Sequence, residues 1–242
     1  MIELFSNAQA LARGAAEHFV ARSGEAVARK GTFTVALSGG STPKVLYQIL
    51  ASEPFSAQVP WSKTHFFWSD ERHVPPDHPD SNYRMTHEAM LSHVPVPESN
   101  VHRVHSENPN AGEVANEYEQ TLLQLTKQTV PQLDLILLGL GPDGHTASIF
   151  PGSEVLHETQ RLVAAPWVEQ FNSYRITMTL PLLNNGASVL FLVSGAEKAE
   201  IVKAVIEGPK TYPAQFIQPT HGQLLWMFDK DAASFLATDE RR

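Results

Sequence analysis

Short apolar runs recur between stretches of helical spacing, and this alternation constrains the fold more than anything else in the chain. Thr32–Leu37, Thr64–Trp68, Leu133–Leu138, Ser188–Val193 and Leu224–Phe228 are runs of strand length. Leu133–Leu138 and Ser188–Val193 are apolar almost throughout, as strands buried on both faces of a parallel sheet are. Residues 7–29, Pro43–Leu50, 81–92, 112–127 and Ala196–Ile206 carry apolar residues at helical spacing. Strands that alternate with helices predict an α/β fold, a mostly parallel sheet with helices on both faces. Ligands of such sheets bind in the loops after the strands.

No repeat or low-complexity linker divides the 242 residues, so one domain is expected over residues 1–242. Cysteine is absent, which removes disulfides, thiolate nucleophiles and Cys-ligated metals. The net charge of -8 argues against a generic nucleic-acid binder and requires local cations at any anion site. No apolar run approaches the length of a membrane span, and the first residues lack a signal-peptide pattern, so a cytoplasmic enzyme is expected. Neither His87-Glu88 nor His157-Glu158 continues into HExxH, and no GxSxG elbow occurs.

Four segments carry candidate chemistry. In Ser38-Gly39-Gly40-Ser41-Thr42-Pro43 a strand ends on two glycines, with Thr42 placed to cap a helix that begins at Pro43. Such a turn is either a plain connection or an anion site on free N–H groups. Asp70-Glu71-Arg72 follows the apolar strand 64–68, where three charges are either site groups or a solvated cluster. Gly139–Gly144 matches GxGxxG, but Pro151-Gly152 leaves room for only a short helix behind it. Its notable pair is Asp143 and His145, a carboxylate placed to orient an imidazole suited to general-base work. In the fourth, Arg175 shares one face of an alternating strand, Tyr174–Leu180, with Thr177 and Thr179, and Lys198 stands in the first turn of helix 196–206. A cation there opposes the helix dipole and is explained by a bound anion, or is simply solvated. His102 and His105 read as structural, and the Pro- and His-rich segment 73–80 has the composition of a lid.

LSGGSTPK at 37–44, WSDERHVP at 68–75, SNYRM at 81–85, GLGPDGHTASIFPG at 139–152, YRITMTLPLL at 174–183 and VSGAEKA at 193–199 together resemble the 6-phosphogluconolactonases. The resemblance covers nearly the whole chain in order. It implies a Rossmann-like α/β fold, as in the glucosamine-6-phosphate deaminases, with hydrolysis of 6-phospho-D-glucono-1,5-lactone to 6-phospho-D-gluconate in the oxidative pentose phosphate pathway. It also implies a small-molecule phosphosugar lactone as partner, no cofactor or metal, no nucleic acid or membrane, and a monomer or homodimer. The site residues it implies are His145, Asp143, Arg72 and Asp70 for catalysis, with Gly39, Gly40, Ser41, Thr42, Arg175 and Lys198 for the phosphate. The deaminases resemble the chain in the glycine loop and the DGH turn, but carry a catalytic Glu where this sequence has Phe150. Two other classes stay open on the residues alone: an NAD oxidoreductase, through the GxGxxG match, and a non-catalytic sugar-phosphate sensor.

Overall fold

The computed structural model describes residues 1–237. The five expected runs and one further strand, β1, form one parallel sheet of six: β1 (Ile2–Phe5), β2 (Phe33–Leu37), β3 (Thr64–Trp68), β5 (Leu135–Leu138), β9 (Ser188–Val193) and β10 (Gln223–Asp229). Their order across the sheet is β1-β10-β9-β5-β2-β3. All residues of β2, β5 and β9 are buried, because both faces are covered and the backbone groups are paired within the sheet.

The alternation of side chains divides the core in two. Val35, Leu37, Leu135, Leu137, Leu190 and Leu192 face helices α1 (Ala8–Lys30) and α2 (Ser41–Leu50), meeting Leu11, Phe19, Leu46 and Leu50. Ala36, Ile136, Leu138, Val189 and Phe191 face α4 (Ala111–Thr126) and α6 (Ala199–Glu207), meeting Val114, Leu122 and Val202. Asn7 caps α1 by accepting from Ala10 N, and Gly31 ends it in the left-handed conformation that glycine adopts without strain. No described helix is long and apolar enough to cross a membrane.

A second, antiparallel sheet sits past the end of β3. It is built from β4 (Asp70–Arg72), β6 (Val163–Ala164) and β8 (Ser173–Met178), and β7 (Trp167–Val168) pairs with the start of β8. The alternating segment 174–180 therefore belongs to this small sheet and ends at Met178. Thr177 and Thr179 are buried, so of the three polar residues expected on one face only Arg175 faces open space. Strand β1 carries no signal separate from the helix that follows it. It pairs with β10 in parallel from Ile2↔Trp226 to Phe5↔Asp229, an edge position chosen by the tertiary fold.

The strand order reverses across the sheet between β2 and β5: β2 leads to β3 on one side, and β5 to β9 on the other. The crevice at their carboxyl ends is the topological switch point, where sheets of this type bind ligands.

Candidate active site

Two buried tyrosines fix where the strands end. Tyr47 of α2 accepts from Ser38 N at 3.0 Å and donates to Ser38 O at 2.7 Å. Tyr118 of α4 does the same at Trp68, at 2.7 and 3.1 Å. Each phenol satisfies backbone groups that would otherwise be orphaned where the strand stops pairing. The chain then turns away at Gly39-Gly40 and at Ser69-Asp70, opening a cavity of about 440 Å³ between the loops after β2, β3 and β5.

Gly39 and Gly40 form one wall. Gly40 has φ +113, and a Cβ at Gly39 would overlap the Asn82 side-chain oxygen. The expected cap differs: α2 begins at Ser41 with Gly40 as N-cap and no side chain bonded there. Thr42 instead meets Ser194 Oγ at 3.2 Å, because the helix starts two residues before the position that a capping Thr42 needs. The first N–H groups of α2 thus have no side-chain acceptor, an arrangement suited to an anion. The side chains of Ser41 and Thr42 lie outside the cavity lining.

The three charges after β3 do different jobs. Glu71 is buried and accepts from Arg72 N, Asn82 N and Tyr83 N, each at 2.8 Å, and from Ser81 Oγ at 3.2 Å. Burial pushes its carboxyl upward, opposed by the backbone donors of Asn82, Tyr83 and Arg72. It anchors the start of α3 (Asn82–Ala89) and does not line the cavity. Arg72 donates to Asp80 O at 2.6 Å and stands opposite Arg175 across β4 and β8. Burial first, and the Arg72 guanidinium second, lower the Arg175 value below that of an ordinary guanidinium. Asp70 accepts from Ser148 Oγ at 2.7 Å.

Lys198 is the N-cap of α6, reached through a short 3₁₀ turn from Ala196, not a residue of the first turn of a helix 196–206. Its Nζ donates to Leu140 O at 2.9 Å, which brings it over the loop after β5. Among the described residues, none of Arg72, Arg175 and Lys198 has a carboxylate partner within ion-pair distance, although all three line the cavity. Three cations without carboxylate partners around one cavity, in a chain of charge -8, are an arrangement suited to an anion of more than one charge.

The loop after β5 does not lead into a helix. Thr146 and Ile149 instead form an isolated antiparallel bridge. The GxGxxG match thus lacks the helix N-terminus that would hold a pyrophosphate, which weighs against a dinucleotide there. What the glycines hold is His145. Its ring packs directly on Gly141, where a Cβ would overlap Nδ1 and Cε1, and lies 4.3 Å from the Phe150 ring centroid. Its Nδ1 is 2.5 Å from Asp143 Oδ1. With Nδ1–H donating to that carboxylate, Nε2 carries the lone pair. Asp143 itself lies behind the imidazole, in the lining of a neighbouring groove of about 880 Å³.

The structure thus brings Gly39, Gly40, Asp70, Arg72, His145, Arg175 and Lys198 to one cavity. Asn82, Ser148 and Phe171 also line it, and residue-by-residue chemistry did not single them out. Asn82 donates to Asp70 O at 2.9 Å, and Phe171 lies under the Arg175 guanidinium at 4.8 Å.

Comparison with known proteins decides the family. The model described as "Glucosamine-6-phosphate isomerases/6-phosphogluconolactonase" matches residues 6–226. The chain belongs to this family. A 6-phosphogluconolactonase from Synechocystis sp. is 41% identical over 241 residues, covering 97% of this chain and 98% of that one. The solved 6-phosphogluconolactonase of Trypanosoma brucei superposes with a TM-score of 0.88 at 31% identity, covering 98% of both chains. A monomeric glucosamine-6-phosphate deaminase, 21% identical over 97% of this chain and 99% of that one, superposes at 0.82. That last likeness bears on the fold alone and agrees with the Rossmann-like α/β architecture expected from the sequence.

Proposed function

We propose that this family member is a lactonase, a single domain that hydrolyses 6-phospho-D-glucono-1,5-lactone to 6-phospho-D-gluconate in the oxidative pentose phosphate pathway. The observation that carries the reading is one cavity holding both a carboxylate-oriented imidazole with a free Nε2 and three cations without carboxylate partners. Near-full-length similarity to proteins named 6-phosphogluconolactonase supports the choice of substrate. A deaminase reading is disfavoured by Phe150, an apolar ring where ring opening and isomerisation use a carboxylate.

In this reading the substrate phosphate sits on the Gly39–Thr42 loop, clamped by Arg175 and Lys198. Arg offers a fork to two phosphate oxygens and Lys a point charge. Anchoring the distal phosphate fixes C1 of the lactone near His145, so binding energy is used for orientation. His145 Nε2 takes a proton from water as the water oxygen bonds to C1. The resulting oxyanion is held by Arg72 and N–H groups of the glycine turns. It collapses with cleavage of the bond from C1 to the ring oxygen, which receives the proton from the imidazolium. Asp143 keeps the ring in the tautomer that exposes Nε2 and steadies the imidazolium.

The test is lactone hydrolysis, with the substrate generated in situ from glucose 6-phosphate by its dehydrogenase and spontaneous hydrolysis as baseline. Wild-type protein is expected to accelerate the reaction. His145→Ala should lower kcat by about 10²- to 10⁴-fold, and Arg175→Ala should raise KM and lower kcat as well, because the anchor it removes orients the lactone. Folded protein that gives no acceleration overturns the reading, and near-normal turnover by His145→Ala overturns the base assignment.

A further inference from the structure

The cavity wall holds a carboxylate oxygen that the protein leaves without a partner. Asp70 is only 8% exposed. Its Oδ2 accepts from Ser148 Oγ at 2.7 Å. Its Oδ1 meets no hydrogen-bond donor among the described residues, yet it is not sealed in the interior. Both Asp70 and Ser148 line the cavity, so the free oxygen is reached from there. A carboxylate oxygen that no protein donor occupies and that opens on the cavity is left to accept from a donor that arrives with the ligand.

Ser148 is held with care. It is 2% exposed, and its own N–H donates to Thr177 Oγ1 at 3.1 Å. Thr177 is the direct partner of Asp70 across β4 and β8, so one rung of the small sheet fixes both ends of the contact. The preceding residue, Ala147, has φ +47, a region that residues with a Cβ rarely adopt. This backbone turn carries the chain from His145, whose ring packs on Gly141, to Ser148, whose hydroxyl reaches Asp70. Glu71 next door is saturated by four donors, and the Arg72 guanidinium is bonded to Asp80 O. Neither competes for Asp70.

We infer that Asp70, locked by Ser148, is the residue that selects hydroxylated lactones: its free Oδ1 accepts a hydrogen bond from a ring hydroxyl of the substrate. Ser148 is a positioning residue in this scheme. It occupies Oδ2 and thereby fixes which oxygen, in which plane, meets the sugar. The inference rests on the lactonase reading and goes beyond it, assigning the ring-hydroxyl contact to one acidic acceptor in the cavity wall.

The experiment compares four substrates. These are the 6-phosphogluconolactone and its 2-deoxy, 3-deoxy and 4-deoxy analogues, made by oxidation of the corresponding sugar 6-phosphates. For wild type, kcat/KM should fall about 10- to 100-fold on at least one deoxy lactone, the effect of losing one hydrogen bond to a charged acceptor. Ser148→Ala should lower kcat/KM on the full lactone while leaving that deoxy lactone within about threefold, so selectivity contracts. Asp70→Asn, which keeps the size of the side chain, should contract selectivity as well, and it serves if Ser148→Ala does not fold. A purely structural role lowers activity on all four substrates alike, and that result overturns the inference. So does a wild type indifferent to every deoxy analogue. Failure of folded wild type to accelerate any of the four overturns the lactonase reading instead, and this inference falls with it.

Discussion

Replacing Gly141 by Ala tests the proposed catalytic geometry without removing any side chain that titrates or binds. A Cβ at this position would lie 2.7 Å from His145 Cγ and overlap Nδ1 and Cε1, against an ordinary carbon contact of about 3.5–4.0 Å. The imidazole must shift by roughly 1 Å or more, and it cannot do so while bonded to Asp143 at 2.5 Å. Gly141 lies outside the positive-φ set, so alanine is compatible with the backbone there. The His145 side chain is 25% exposed and has room to swing outward. The stability cost is therefore small, about 1 kcal/mol, or roughly 2–4 °C in Tm for a chain of this size. The catalytic loss should approach that of removing the base, about 10²- to 10⁴-fold in kcat, with KM little changed. Lactone hydrolysis corrected for the spontaneous rate measures this. The double variant with His145→Ala supplies the decisive comparison: with the ring gone the new methyl has space, so Gly141→Ala should add almost nothing. A Gly141→Ala enzyme within threefold of wild type in kcat, or one whose loss multiplies with that of His145→Ala, would refute the assigned ring position.

Three further outcomes follow from the same structure. Glu71→Gln places an amide donor against the N–H groups of Arg72, Asn82 and Tyr83, and should destabilise by about 1–3 kcal/mol; an unchanged Tm would deny that Glu71 anchors α3. Lys198→Ala removes a cation from the cavity and a bond to Leu140 O, and should raise KM about 10- to 100-fold with a smaller change in kcat; the opposite split would remove Lys198 from the phosphate clamp. His102 bonds His65 at 3.0 Å, and burial holds its value down to about 4, while burial and Lys30 also lower His65. The folded values lie below the unfolded 6.5, so stability is full above that pH and declines as pH falls toward about 4. For His102, discounted for its partial exposure, the loss is about 1–2 kcal/mol. His102→Asn should flatten the dependence of Tm on pH across that window, and an equally steep profile would exclude the pair as its source.

Much of the site was legible because its residues sit in short contiguous motifs. Asp143, His145 and the glycines that support the ring fall within seven residues, and Gly39-Gly40 directly follows a strand too apolar to be anything else. The division of labour in Asp70-Glu71-Arg72 was not legible. All three are charged, and only the pairing of β4 with β8 and the docking of α3 turn Glu71 inward to backbone donors while Asp70 faces the cavity. Ser148 and Asn82 gave no chemical signal, since a serine or asparagine in a turn has many uses and theirs depend on residues 78 and 12 positions away.

What the sequence determined by itself is local: which segments are strands, which are helices, and that the sheet is parallel and covered on both faces. Periodicity and burial of apolar side chains encode these directly. The separate antiparallel sheet, the edge strand β1 and the helix start at Gly40 were decided by tertiary structure, because each depends on which distant backbone offers a hydrogen-bonding edge. The convergence of Arg72, Arg175 and Lys198 on one cavity was decided there too. Three cations of like charge have no mutual attraction, and only the packing of the strands and helices that carry them brings them together around one cavity.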